Sequence, residues 1–330
     1  MELRPKPLEG KVAVSSDSDV FDRRLLRMHR RRAARLGPAA FLIDAVAAEL
    51  ADRLSLVQRR FDRVVDLGVG HDAVRRALTR LKNVGCLIAV DDGSDRSHDD
   101  RHGCSPATDR PAVIADEEAL PFADGSLDLV VSALALQFVN DLPGVLVQIR
   151  RALKADGLLL AALAGGDTLT ELRQAFAAGE AEVEGGISPR VAPFIDVRLM
   201  GGLLQRAGFA LPVTDIDRLT VRYASPLRLM EDLRRMGATN ALLQRHRRPL
   251  RRATLQRVVD IYTERFSDGD GRVRATFDIL WLSGWAPHES QQRPLPPGSA
   301  RVRLADALGT AELPAGEQAD PVGRPPKTQT

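Results

Sequence analysis

Asp66-Leu67-Gly68-Val69-Gly70 has the residue types and spacing of a turn that admits a nucleotide-like ligand. Glycine has no Cβ, so a ligand can approach the backbone there, and a helix starting near His71 would offer its amide-bearing, electropositive end. Alone, so short a pattern also fits an ordinary strand-to-helix turn. Acidic residues downstream strengthen the ligand reading. Asp91 ends an apolar run about 20 residues past Gly70, the separation at which a carboxylate meets ribose hydroxyls, and Asp92 is an equally good register. Asp116 and Glu117 follow the next apolar run, where an acid could meet an adenine amino group.

Other residues carry weaker chemistry. His288, in Trp285-Ala286-Pro287-His288-Glu289-Ser290, is the most suggestive histidine, although a loop-stabilising role suits it as well. No Ser/His/Asp constellation can be assembled, and Cys86 and Cys104 lack zinc-site spacing, so no metal is expected. Arginines crowd two stretches, Arg23 to Arg35 and Arg245 to Arg252. With aromatic residues at 4% there is no stacking platform, and these stretches are expected to be solvated or to face a partner other than nucleic acid. The 47 basic and 44 acidic residues leave a net charge of only +3. No apolar run approaches the roughly 20 residues of a membrane span, and the acidic N-terminus is unlike a targeting peptide, so a cytoplasmic protein is expected.

Short apolar runs alternating with helical patterns must position these residues, which is the mark of an α/β sheet. Strands are expected at Arg63 to Leu67, Gly85 to Val90, Pro111 to Ala115, Leu127 to Val131, Gly157 to Ala164, Pro212 to Tyr223 and Val273 to Trp285. Helices are expected at Ala73 to Leu81, Leu142 to Leu153, Thr168 to Ala178 (capped by Asp167 or Thr168) and Asp196 to Ala207. Glu171 should favour the dipole of the third of these. A helical insertion at about 225–268 precedes the last strand. The polar stretch Asp91 to Arg110 is a poorly covered crossover. A helical region at 20–60 precedes the domain at 61–309, and residues 1–19 and 310–330 read as disordered ends.

Several segments together resemble bacterial class I S-adenosylmethionine (SAM)-dependent methyltransferase-like proteins similar to mitochondrial complex I assembly factor 5. They are Val20-Phe21-Asp22-Arg23, Asp66-Leu67-Gly68, Ala119-Leu120-Pro121-Phe122, Phe138-Val139-Asn140-Asp141-Leu142-Pro143, Gly165-Gly166-Asp167-Thr168-Leu169, Ser188 to Phe194 and Pro287-His288-Glu289-Ser290-Gln291. The biotin-synthesis malonyl-carrier-protein methyltransferase is a more distant match. The resemblance implies a Rossmann-like class I methyltransferase fold, a seven-stranded sheet with helices on both faces. SAM would be bound by Asp66, Gly68, Gly70, Asp91, Asp116 and Glu117. Implied too is a protein substrate, an iron-sulfur subunit of a respiratory NADH dehydrogenase (complex I), modified by methylation or arginine hydroxylation. Gln137, Asn140 and Asp141, after strand four, lead the catalytic candidates, with His288 behind. The chain departs from the family pattern at Val69 and Asp72 in the glycine loop, and at Gln137-Phe138, where His-Trp is usual. Two other readings compete: a non-catalytic assembly scaffold with a degenerate SAM site, and an NAD-dependent dehydrogenase using the same turn, with Ala73 at the third glycine position.

Overall fold

The computed structural model describes residues 19–68, 72–93, 111–292, 299 and 301–311. Seven strands form one sheet: β1 (Phe61–Leu67), β2 (Val84–Asp91), β3 (Ala112–Ile114), β4 (Leu127–Ala133), β5 (Leu153–Gly165), β6 (Ala210–Tyr223) and β7 (Val273–Trp285), in the order β3-β2-β1-β4-β5-β7-β6. β1 to β5 run parallel; β7 lies antiparallel between β5 and β6. This order corrects the dehydrogenase reading, because the doubly wound dinucleotide fold keeps its sixth strand next to the fifth.

Helices cover both faces. Val64 and Leu129 face one core, packed with α2 (Phe41–Ser55), α3 (Ala73–Leu78), α5 (Thr170–Glu184) and α8 (Arg252–Phe266). Their chain neighbours Val65 and Val130 face the other, packed with α4 (Leu142–Ala152) and α6 (Val197–Arg206). Every residue of β4 is buried, as expected of a central parallel strand covered on both sides. α7 (Pro226–Arg235) and α8 form the insertion between β6 and β7, and α1 (Arg23–Leu36) precedes α2. Residues 289–330 form a separate unit, in which α9 spans Leu304–Leu308.

One local expectation fails at α5. Neither Asp167 nor Thr168 caps it; Leu169 holds the N-cap in the left-handed region, φ 56°. The Thr168 hydroxyl donates instead to the carbonyls of Gly165 and Asp278, while Asp167 pairs with Arg218. Glu171 is buried, accepting from the amide and hydroxyl of Thr276, so it ties α5 to β7 rather than serving only the helix dipole. These bonds fix the chain as it leaves β5, beside the candidate site. No helix among the described residues is long and apolar enough to cross a membrane. Residues 1–18 and 312–330, expected to be loose, lie outside the described residues, as do Gly70 and the polar stretch from residue 94 to 110.

Candidate active site at the carboxyl ends of the parallel strands

β1 and β2 end side by side, Leu67 opposite Val90, so the glycine turn and the acids after β2 meet at one edge, where open α/β sheets bind ligands. Asp66, on β1, is buried, and its Oδ1 has no hydrogen-bond partner. Burial, with a smaller contribution from the charge of Asp72, pushes its carboxyl from the ordinary 3.8 to about 7. Gly68 closes over it, since a Cβ there would lie 3.3 Å from Asp66 Oδ1. A buried carboxylate with an unused acceptor beside a glycine turn suits a ligand carrying an ammonium or hydroxyl donor, and SAM carries both. Asp91 contributes the last residue of β2, paired with Ile114.

The remaining acids of this edge are engaged by the protein itself. Arg23 donates to Asp116 at 2.8 Å and to Glu117. Arg27 donates to Asp116 at 2.5 Å, and Arg30 bridges Asp92 and Glu117, each at 2.9 Å. The side chains of Asp92 and Glu117 are only 3% and 1% exposed. Burial alone would raise the Asp116 carboxyl, but the Glu118 amide and the Arg23 and Arg27 guanidiniums outweigh it and hold it below the ordinary range. This corrects the solvated reading of the first arginine cluster. Arg23, Arg27 and Arg30 share the inner face of α1, whereas Arg24, Arg31, Arg32 and Arg35 are exposed. The signal was available as spacing: positions i, i+4 and i+7 fall on one side of a helix.

Beside this edge a cavity of about 840 Å³ extends under α1, bounded by the turn after β4, α5, the 190–194 segment and the insertion. Its walls are largely apolar, with Leu42, Leu172, Phe176, Leu233, Phe277 and Ile279 among them. Leu134 enters the turn at φ 53°, and Gln137, whose Nε2 donates to the Leu134 carbonyl, lines the cavity. Of the catalytic candidates, Gln137 alone stands at this cavity. Asn140 has a different employment: its Oδ1 accepts from the amides of Val20 and Phe21 at 3.0 and 2.8 Å, and its Nδ2 donates to the Phe21 carbonyl. Asp141 caps α4 through the Gly144 amide. His288 is exposed and follows β7 where Trp285 pairs with Leu158 and Ala286 bonds Gly157, at the start of β5. That is the opposite edge of the sheet, so His288 and the glycine-turn edge do not meet. The sequence reading missed the cavity because its walls come from stretches scattered along the chain between Phe21 and Ile279.

Residues 65–161 match the family described as Methyltransferase domain. Arginine-hydroxylase NDUFAF5, mitochondrial, of Danio rerio is 38% identical over 298 residues, covering 89% of this chain and 91% of that protein. The chain belongs to the class I SAM-dependent methyltransferase-like family. A second relative of this methyltransferase-like chain, malonyl-acyl-carrier-protein O-methyltransferase of Laribacter hongkongensis, is 37% identical over 276 residues, covering 81% of this chain and 90% of that enzyme. A putative methyltransferase from Bacillus halodurans, 16% identical with a TM-score of 0.50, covers 74% of this chain and is itself covered completely; it shares the fold. The methyltransferase-like chain is thus an enzyme of that class, with the glycine turn at the ends of its parallel strands and a cavity next to it.

Proposed function

We propose that the protein binds SAM at the β1–β4 edge and modifies a polypeptide in the 840 Å³ cavity, in the assembly of a respiratory NADH dehydrogenase. The observation that carries this is the extent of the NDUFAF5 likeness: at 89% of this chain it runs well past residues 65–161, into α5, the insertion and β7, which wall the cavity. Asp66 would take a donor group of the cofactor, the Gly68 turn would let it approach, and Asp91 would take the ribose hydroxyls. When bound, SAM supplies an electrophilic methyl on a sulfonium. The chain's own share of the work is alignment and exclusion of water: the apolar walls and the fixed Leu134–Phe138 turn hold the substrate group in line, and proximity of this kind accounts for much of the rate in such transfers. Gln137 is the polar side chain best placed to orient the acceptor.

A second reading rests on charge. The ionic residues lining the cavity are Arg30, Arg35, Arg76, Arg190, Arg234, Arg235 and Asp72; Arg30, Arg76, Arg190 and Arg235 are paired with Glu117, Asp44, Glu180 and Asp232, so the excess positive charge rests chiefly on Arg35 and Arg234. Such a lining favours a carboxylate-bearing substrate over a guanidinium, which fits carboxyl methylation better than arginine hydroxylation. Calorimetric titration of the full chain with S-adenosylhomocysteine and with NAD tests the cofactor; binding of NAD alone, or of neither, would sink the reading. Mass spectrometry of a NADH dehydrogenase iron-sulfur subunit incubated with the protein, SAM, dioxygen and a reductant separates methylation from hydroxylation, and an unchanged subunit would remove the proposed substrate.

A further inference from the structure

Three of the carboxylates expected beside a nucleoside, Asp92, Asp116 and Glu117, are already held by α1. Asp116 has two arginine partners, Glu117 two, and Asp92 lies against Arg30 and, at 3.9 Å, Arg27. A carboxylate has lone pairs to spare, so a full set of partners does not by itself exclude a further donor. Burial does: with Asp92 and Glu117 almost inaccessible, an adenine amino group or ribose hydroxyl can reach them only if α1 yields.

α1 is also the roof of the cavity. Ala33, Ala34, Arg35 and Leu36 line it from the same helix that carries Arg23, Arg27 and Arg30, and Phe21 lines it just before the helix begins. The anchors of α1 outside the carboxylates lie at both of its ends and along the insertion: Asn140 on Val20 and Phe21, Arg245 on Asp22 at 3.3 Å, Arg23 on the Phe138 carbonyl at 3.0 Å, Thr239 on His29 at 2.9 Å, and Arg235 on the carbonyl of Gly37, just past the last turn, at 2.8 Å. Release of the three arginines from the carboxylates therefore loosens the middle of the helix, leaving Leu26 and Ala33 to hold its inner face, while both ends stay tethered.

We propose that α1 is an arginine strap: with its arginines on Asp92, Asp116 and Glu117 it closes the nucleoside wall and roofs the cavity, and SAM binding displaces them, loosening the roof over the substrate. This rests on the reading of that edge as a SAM site. The energetic logic is competition for the same acceptors, so any change that weakens the strap without touching the carboxylates strengthens cofactor binding. It also sets an order, cofactor before substrate, because the roof loosens only after the cofactor is in place.

Arg27→Gln is the test variant, since the Arg27 side chain is 38% exposed and its loss leaves Arg23 and Arg30 to hold the fold. Calorimetry with S-adenosylhomocysteine should give an affinity at least three-fold tighter for Arg27→Gln than for the unaltered chain. Hydrogen exchange on the unaltered chain should show the amides of residues 26–36 exchanging faster with S-adenosylhomocysteine bound. Weaker binding by Arg27→Gln, equal binding, or slower exchange in α1 on cofactor addition each overturns the strap while leaving the SAM site standing. Absence of binding by both proteins overturns the SAM site, and the strap with it. Binding by the variant alone supports both.

Discussion

Replacing Asp66 by asparagine isolates a buried side chain whose Oδ1 has no hydrogen-bond partner. Its carboxyl titrates at about 7 in the folded chain against 3.8 ordinarily, so the folded state holds the proton more tightly than the unfolded state. The stability it contributes is therefore complete below pH 3.8 and is lost as pH rises through 7. A gap of about three units at about 1.36 kcal/mol each makes the ionised side chain cost about 4 kcal/mol by pH 8, of which about 2.5 kcal/mol falls between pH 5 and pH 8. Against a total of about 5–15 kcal/mol for an ordinary domain this is a large share. Asparagine cannot ionise. Asp66→Asn should accordingly gain on the unaltered chain by about 2.5 kcal/mol more at pH 8 than at pH 5, read from urea unfolding midpoints at the two values. Because the charge of Asp72 contributes to the shift, Asp72→Asn should reproduce a smaller part of that gain. A stability difference independent of pH would refute the reasoning, since it would mean that Asp66 titrates alike in both states. The same substitution should weaken S-adenosylhomocysteine binding, as expected where a strained group is kept for its ligand.

Asn140→Ala removes two accepted bonds and one donated bond that pin Val20 and Phe21, and should cost about 2–3 kcal/mol in urea unfolding with faster hydrogen exchange at residues 20–22; unchanged stability would show the tether to be idle. His288→Ala should leave S-adenosylhomocysteine affinity unchanged, because His288 stands at the far edge of the sheet from the proposed cofactor site; a ten-fold loss would contradict the placement.

Strand and helix periodicity made the sheet legible, together with the two helices between β6 and β7, because each element buries one stripe or face that its own sequence spells out. The Asp66-Leu67-Gly68 turn and the acids near residues 91 and 116 were legible for the same local reason: a glycine turn between a strand and a helix sets where the next acidic residues must fall. The inward face of α1 was half legible, through the spacing of Arg23, Arg27 and Arg30, but the surrounding arginines masked it. What those arginines touch is a long-range fact, joining residues about 90 positions apart, and only the folded sheet brings them together. Asn140 and His288 show the same limit. Both sit in chemically suggestive company along the chain, yet one spends its amide on the N-terminal segment and the other is carried by an antiparallel strand to the opposite edge. Residue type and spacing determined which groups could do chemistry here. The order and direction of the strands decided which of them stand together, since hydrogen-bonded pairing, rather than separation in sequence, sets the distance between two strand ends.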